Sequence, residues 1–302
     1  MLRPIFGILL FLTGTSGDLA LAEDAPPPSA PVAHSGKPTI AVLPLKEEGM
    51  DSFGNQQDEM YQTVASSFFQ TRRFELMERG QLAEVLGEAK FQNAGLVDDA
   101  SAVAVGKQLG VKFVVLGSYS GAMNRSRESY ESNKGTVYNE VWPAQATVSL
   151  RMVSVETGRI EETFKATGTA KEPNSTRSMS AVMRDLSVKL NREVSNKFPL
   201  NGYIIKVITE REAMIDLGRK DGVVEGDRFL MVEWGDDIIH PITGKTIKGQ
   251  KTVLSELKVT RTDEETSEVK VAGSKVKLKL GQVLESAPKK ASIWESMKDK
   301  GK

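Results

Sequence analysis

The fold is decided by the stretch Ala146-Thr-Val-Ser-Leu-Arg-Met-Val-Ser-Val155, followed through Thr157-Gly158 by Arg159-Ile-Glu-Glu-Thr-Phe-Lys-Ala-Thr-Gly-Thr169. Val148, Leu150 and Met152 alternate with polar residues, the period of a strand with one buried face. Thr157-Gly158 turns the chain, so the second half is the returning strand of a hairpin. Beyond it the period changes. Met179, Val182, Met183, Leu186, Leu190 and Val194 recur at helical spacing, and Pro199 stands just past the last of them. A long amphipathic helix therefore closes this unit.

Further toward the N-terminus, Thr39-Ile-Ala-Val-Leu-Pro44 suits a short buried strand. Met60, Val64 and Phe68, flanked by Tyr61, Ala65 and Phe69, predict a helix over 55–70. A short strand follows at 74–77, then a helix carrying Leu82, Val85, Leu86 and Ala89. A further helix at 98–109 opens on Asp98 or Asp99 and stops at Gly110. Phe113-Val-Val-Leu116 reads as a central strand. The order βαβααβββα predicts an α/β fold, a mixed sheet with flanking helices. After Leu200 short apolar runs at 203–208, 213–217, 228–234, 253–260, 269–272 and 283–284 are separated by turn residues such as Gly218, Gly222, Gly226-Asp227 and Thr243-Gly244. That spacing predicts a small all-β barrel or sandwich as the C-terminal domain.

The chain has 302 residues, enough for two domains, and 40 basic residues balance 40 acidic ones. With no global field, nucleic-acid binding would need a local patch, and none is expected. Cysteine is absent and there are 2 histidines, which removes disulfides, thiolate nucleophiles and Cys-type metal sites. His34 and His240 lie far apart in sequence and context, so neither metal binding nor general-base chemistry is expected of them. Gly117-Ser-Tyr-Ser-Gly121 fails as a nucleophile elbow because Tyr119 holds the serine position. The glycines match no phosphate-binding pattern. Carboxylate pairs such as Glu47-Glu48 and Asp263-Glu264-Glu265 sit beside turns, where they solubilise. The reading is a protein that is not an enzyme, with no catalytic, cofactor or metal residues and no small-molecule substrate.

Residues 1–22, MLRPIFGILLFLTGTSGDLALA, have Arg3 as a positive start, an apolar run and the small-x-small end Ala20-Leu21-Ala22. This is the pattern of a cleavable signal peptide. The Pro/Ala/Ser-rich residues 23–37 read as a tether. No cysteine stands at the cleavage site, so the chain is not read as a lipoprotein.

In the order Ile40-Ala-Val-Leu-Pro-Leu45, Arg73-Phe-Glu-Leu-Met-Glu-Arg-Gly-Gln-Leu82, Gly95-Leu-Val-Asp98, Gly106-Lys-Gln-Leu-Gly110, Val114-Val-Leu-Gly-Ser118 and Val148 onward to Ile160, the chain resembles the CsgG family of curli production assembly and transport components. Ile215-Asp-Leu-Gly218, Gly222-Val-Val-Glu-Gly-Asp-Arg-Phe229 and Pro241-Ile-Thr-Gly244 are similar to the C-terminal domain of the flagellar protein FlgT. The expected organisation is a CsgG-like domain at 38–198, a FlgT-like β domain at 201–286 and a basic tail at 287–302. The resemblance implies a periplasmic, outer-membrane-associated structural component of a flagellar ring or secretion apparatus, with itself, other envelope proteins or peptidoglycan as partners. A curli-type secretion component and an accessory activator of peptidoglycan synthesis are the alternatives. A CsgG-type pore would insert two hairpins per subunit, each strand about 10 residues long with one apolar face. Residues 121–140 carry Arg125, Arg127, Glu128, Glu131 and Lys134, and 169–178 are short and polar, so neither stretch meets that requirement. The stretch 124–139, with Tyr130 and Tyr138, then reads as a loop for ring or partner contact, or as a solvated surface. Arg72, Arg73 and Arg79 are candidates for pairing with acidic residues of a neighbouring subunit, and Trp294 in the tail is a candidate partner anchor.

Overall fold

The computed structural model describes residues 36–49, 56–78, 80, 82, 99–247, 249–273 and 276–290. Strand β1 (Thr39–Val42) lies in parallel between β3 (Glu75–Leu76) and β4 (Phe113–Met123), and β2 (Lys46–Glu47) also pairs in parallel with β4. Beyond β4 the pairing is antiparallel. β6 (Gly135–Ser154) pairs with β4, with β5 (Ser126–Ser132) and with β7 (Ile160–Glu172). The seven strands form the mixed sheet that the element order predicts.

Alternating residues of the central strands feed two cores. Ile40, Val42, Val115, Val148, Leu150 and Met152 pack with α1 (Gln57–Gln70) and α3 (Ser175–Lys197). Ala41, Leu43, Val114, Leu116 and Val153 pack with Leu82 and with α2 (Asp99–Leu109) on the other face. The six residues of the predicted α3 stripe are all buried, and Asn174 caps the helix by accepting the Arg177 N–H at 2.9 Å. Gly110 ends α2 with φ +66, the left-handed geometry of a helix stop. Helix α3 meets β7 backbone to backbone: a Cβ on Gly168 would lie 2.4 Å from the Val182 carbonyl oxygen. Along the same contact Asp185 accepts the Thr169 N–H at 2.8 Å, and Lys189 donates to the Thr167 carbonyl at 3.0 Å. These two side chains, themselves ion-paired at 3.0 Å, cover part of the edge of β7.

Tyr119 on β4 is almost fully buried. Burial, reinforced by the negative charge of Glu47, holds its phenol above the ordinary tyrosine value. The native state thus favours the neutral phenol. That stabilisation is complete below about pH 10 and fades as the pH rises, because the unfolded chain ionises first. Denaturation midpoints across alkaline pH should fall less steeply for Tyr119→Phe than for the parent chain.

The C-terminal half closes into a six-stranded antiparallel barrel in the order β10 (Arg228–Trp234), β13 (Lys251–Thr262), β14 (Ser267–Val271), β9 (Glu212–Ile215), β8 (Asn201–Val207) and β15 (Val283–Ser286). The β10–β15 pair completes the ring. All six predicted apolar runs supply barrel strands. Ile204, Ile215, Phe229, Leu257, Val269 and Leu284 are among the side chains filling the interior. Between β10 and β13 the chain adds a two-stranded ribbon, β11 (Ile238–Ile239) with β12 (Thr246–Ile247). Pro241-Ile-Thr-Gly244 is the turn between these strands.

The two halves meet at a hydrogen-bonded joint. On the barrel side Leu200 and Ser286 extend the β8–β15 ladder, Leu200 N–H to Ser286 Oγ and Ser286 N–H to the Leu200 carbonyl, both 2.8 Å. Asn196 and Lys289 bond reciprocally at 2.7 and 3.3 Å, which fixes the first residues of the expected tail. The predicted signal segment, most of the tether, the helix through Val85, Leu86 and Ala89, and residues 291–302 lie outside the described residues.

Candidate functional site

Strand β6 has 20 residues, and its two halves do different work. The inner half, from Ala144, alternates into the α1/α3 core. The outer half pairs only with β5, and its residues are exposed or half-buried. Asn124 N–H bonds the Pro143 carbonyl at 3.1 Å, carrying the ladder from β4 into β5. Residues 124–139, expected to form a loop, are therefore largely strand. Backbone pairing sustains the extended form where no side-chain burial announces it.

The register assigns every side chain of this hairpin to a face. Tyr130 stands opposite Val137, and Tyr138 opposite Ser129, so the two tyrosines point to opposite faces. Glu128 and Asn139 share the Tyr130 face; Arg127, Glu131 and Glu140 share the Tyr138 face. Tyr138 is 64% exposed and Tyr130 53%. The Arg127 guanidinium lies 6.0 Å from the Tyr138 ring centre, Arg125 pairs with Glu140, and Glu128 pairs with Lys171 of β7. Both faces carry ionised groups. For a lipid-facing strand, Arg or Lys at the bilayer midplane would cost about 2–4 kcal/mol each. The second stretch considered for membrane insertion, 169–178, forms no hairpin: β7 runs to Glu172 and α3 begins at Ser175.

Arg72 and Arg73 lie at the joint. Arg72 has φ 57, stacks its guanidinium 4.5 Å over the Phe69 ring, and abuts Gly222. Gly222 itself has φ +82, and an added Cβ would come within 3.2 Å of the Arg72 Cβ. Arg73 is half-buried and points inward. Its Nε donates to the Phe198 carbonyl at 2.8 Å, and Nη1 to the Thr71 carbonyl at 2.7 Å and the Asp221 carbonyl at 3.4 Å. Burial lowers its pKa to about 10, against the opposing pull of Asp227 and Asp221. Lys37 adds an ion pair to Asp221 at 3.4 Å. Arg79 and Trp294 lie outside the described residues. The structure thus separates the candidate residues into an exposed hairpin and an internal joint. Sequence reasoning missed the joint because its acceptors are main-chain carbonyls far along the chain, which no motif records. Among the described residues no group of three His, Asp or Glu side chains is placed to hold a metal ion.

With the mixed sheet, its helices and the hairpin in place, the family comparison is decisive. Residues 29–201 match the family model described as curli production assembly/transport component CsgG. The chain belongs to the CsgG family. No curated protein matches it. Solved structures similar to this CsgG-family chain include the LpoB C-terminal domain from Escherichia coli, at 17% identity and TM-score 0.32, over 43% of this chain and 82% of that one. Another is the lipoprotein GNA1162 from Neisseria meningitidis, at 14% identity and TM-score 0.31, over 50% and 99%. A third is the PelC dodecamer from Paraburkholderia phytofirmans, at 11% identity and TM-score 0.27, over 51% and 88%. The CsgG-family match ends where β8 begins, so the barrel lies beyond it. Its likeness to the FlgT C-terminal domain rests on the turn motifs alone.

Proposed function

We propose that this CsgG-family protein is a non-enzymatic assembly component of the bacterial envelope, acting in the periplasm beside the outer membrane as a homo-oligomer. The observation that carries the reading is the β5–β6 hairpin: a paired, exposed ribbon with Tyr130 and Glu128 on one face and Tyr138 with Arg127, Glu131 and Glu140 on the other. A ribbon dressed on both faces suits a position between two neighbours. Each copy then meets one neighbour by the Tyr130 face and the other by the Tyr138 face, the heterologous contact that a closed ring requires. The finer role is that of a structural part of a flagellar-ring-like or secretion machine, with other envelope proteins as partners. The family's description as an assembly/transport component favours, as a second reading, a part in protein secretion itself. The polar hairpin makes that part accessory to a pore rather than a wall of one.

Light scattering on the purified protein should give a mass several times 33.0 kDa. Tyr138→Ser combined with Arg127→Glu should weaken association at least tenfold while circular dichroism stays unchanged, since neither side chain is buried. A monomeric parent chain at all accessible concentrations would refute the assembly reading.

A further inference from the structure

We propose that the β11–β12 ribbon is a membrane-docking arm that inserts its tip into the headgroup region of an anionic phospholipid surface. Four isoleucines lie on this small ribbon, and all are exposed, Ile242 at the turn reaching 89% and Ile239 69%. Ile238 faces Ile247 across the ribbon, whereas Ile239 faces Thr246, so the apolar side chains occupy both faces as well as the tip. A flat protein partner could cover one face only. A fluid apolar medium closes around all of them, and the ribbon reaches roughly 10 Å from Ile238 to its turn, comparable to the depth of interfacial insertion.

Charge selects the kind of surface. From residue 238 to 248 the sequence IIHPITGKTIK contains Lys245 and Lys248 and no acid. The acids Asp236 and Asp237 precede the apolar segment, and Asp237 is turned back to accept the Gly249 N–H at 3.1 Å. Lysine stems can lie along the acyl boundary with their ammonium groups among anionic headgroups. Trp234, which ends β10 at the root of the arm, is 47% exposed, and indole rings favour a membrane interface.

The arm is stiff enough to present this tip. His240 N–H bonds the Lys245 carbonyl and Gly244 N–H the His240 carbonyl, both at 2.9 Å. His240 Nδ1 also accepts the Ile242 and Thr243 N–H groups at 3.2 Å. At the root, Gly249 packs so closely that a Cβ would lie 2.0 Å from the Gly235 carbonyl oxygen. A disordered loop would bury its isoleucines within itself; this geometry holds them outward.

The inference stands independently of the assembly reading, and its test does not depend on oligomer size. The protein, purified as cells process it, is sedimented with vesicles of phosphatidylethanolamine and phosphatidylglycerol, and separately with phosphatidylcholine vesicles. Binding to the anionic vesicles is expected, with at least tenfold weaker binding to phosphatidylcholine. Ile238→Ser, Ile239→Ser and Ile242→Ser combined should weaken binding at least tenfold, and these exposed positions leave the barrel core intact. Lys245→Glu should weaken it about fivefold or more, from one lost attraction at the charged surface. Failure of the parent chain to sediment, equal binding by the triple variant, or equal binding to both vesicle types overturns the proposal. So does capture of a protein partner through the isoleucines without vesicle binding.

Discussion

Replacing Phe68 by alanine is expected to lower the free energy of unfolding by about 3–5 kcal/mol. The Phe68 ring is completely buried where α1, the sheet and α3 converge. It meets Phe164 of β7 edge-on at 5.4 Å and Phe74 at 5.9 Å, and Phe74 in turn meets Phe198 edge-on at 5.0 Å. Removing it opens a cavity that the surrounding rings cannot fill, and also loses aromatic pairs worth about 0.5–1.5 kcal/mol each beyond their buried area. Phe69, the next residue of the same helix, is 48% exposed, so Phe69→Ala should cost about 1 kcal/mol or less. Urea denaturation of the two variants, followed by far-ultraviolet circular dichroism, measures the difference directly. Equal losses would contradict the packing described.

Arg73→Ala is expected to cost about 3 kcal/mol, through loss of charge-assisted bonds to carbonyls that then have no equivalent donor. Arg73 holds the carbonyl of Phe198, just past α3, together with that of Asp221 in the barrel. Loss of its side chain therefore acts at the junction more than within either half. The residues there are Lys197, Phe198, Pro199 and Leu200, and limited trypsin digestion should cleave after Lys197 several times faster in the variant. Arg73→Lys should not rescue it, because one ammonium cannot reproduce the planar fork that serves separate acceptors. A variant as trypsin-resistant as the parent chain would show that the junction is secured without Arg73, by contacts such as the Asn196–Lys289 bonds.

What could be read in advance follows from what each segment buries. The strand alternation at Val148, Leu150 and Met152 and the α3 stripe exist because one face of each element is covered, so periodicity and core coincide. The six barrel runs were readable because a closed barrel hides one face of every strand and Gly or Asp punctuates the turns. The β5–β6 hairpin obeys no such rule. Its strands are held by backbone bonds with solvent on both sides, leaving no hydropathy period to detect. The β11–β12 ribbon escaped for a related reason, since two-residue strands are too short to show any period. Of the candidate residues, Tyr130 and Tyr138 stand exposed as their polar context suggests. The inward role of Arg73 could not be read, because an arginine bound to distant main-chain carbonyls looks in sequence like any surface cation.

The Asp185–Lys189 clamp on β7 has a consequence for how copies of this chain can join. An uncovered strand margin is a template on which a second copy can lay its own margin, and a third on that, with nothing to stop the series. Here a helix side chain occupies the Thr169 amide and another the Thr167 carbonyl, so that template is interrupted. Growth by lateral sheet extension at β7 is interrupted in its middle, whereas β5, which among the described residues pairs only with β6, keeps an outer margin of its own. The clamp takes away one of the margins from which a fibre could grow.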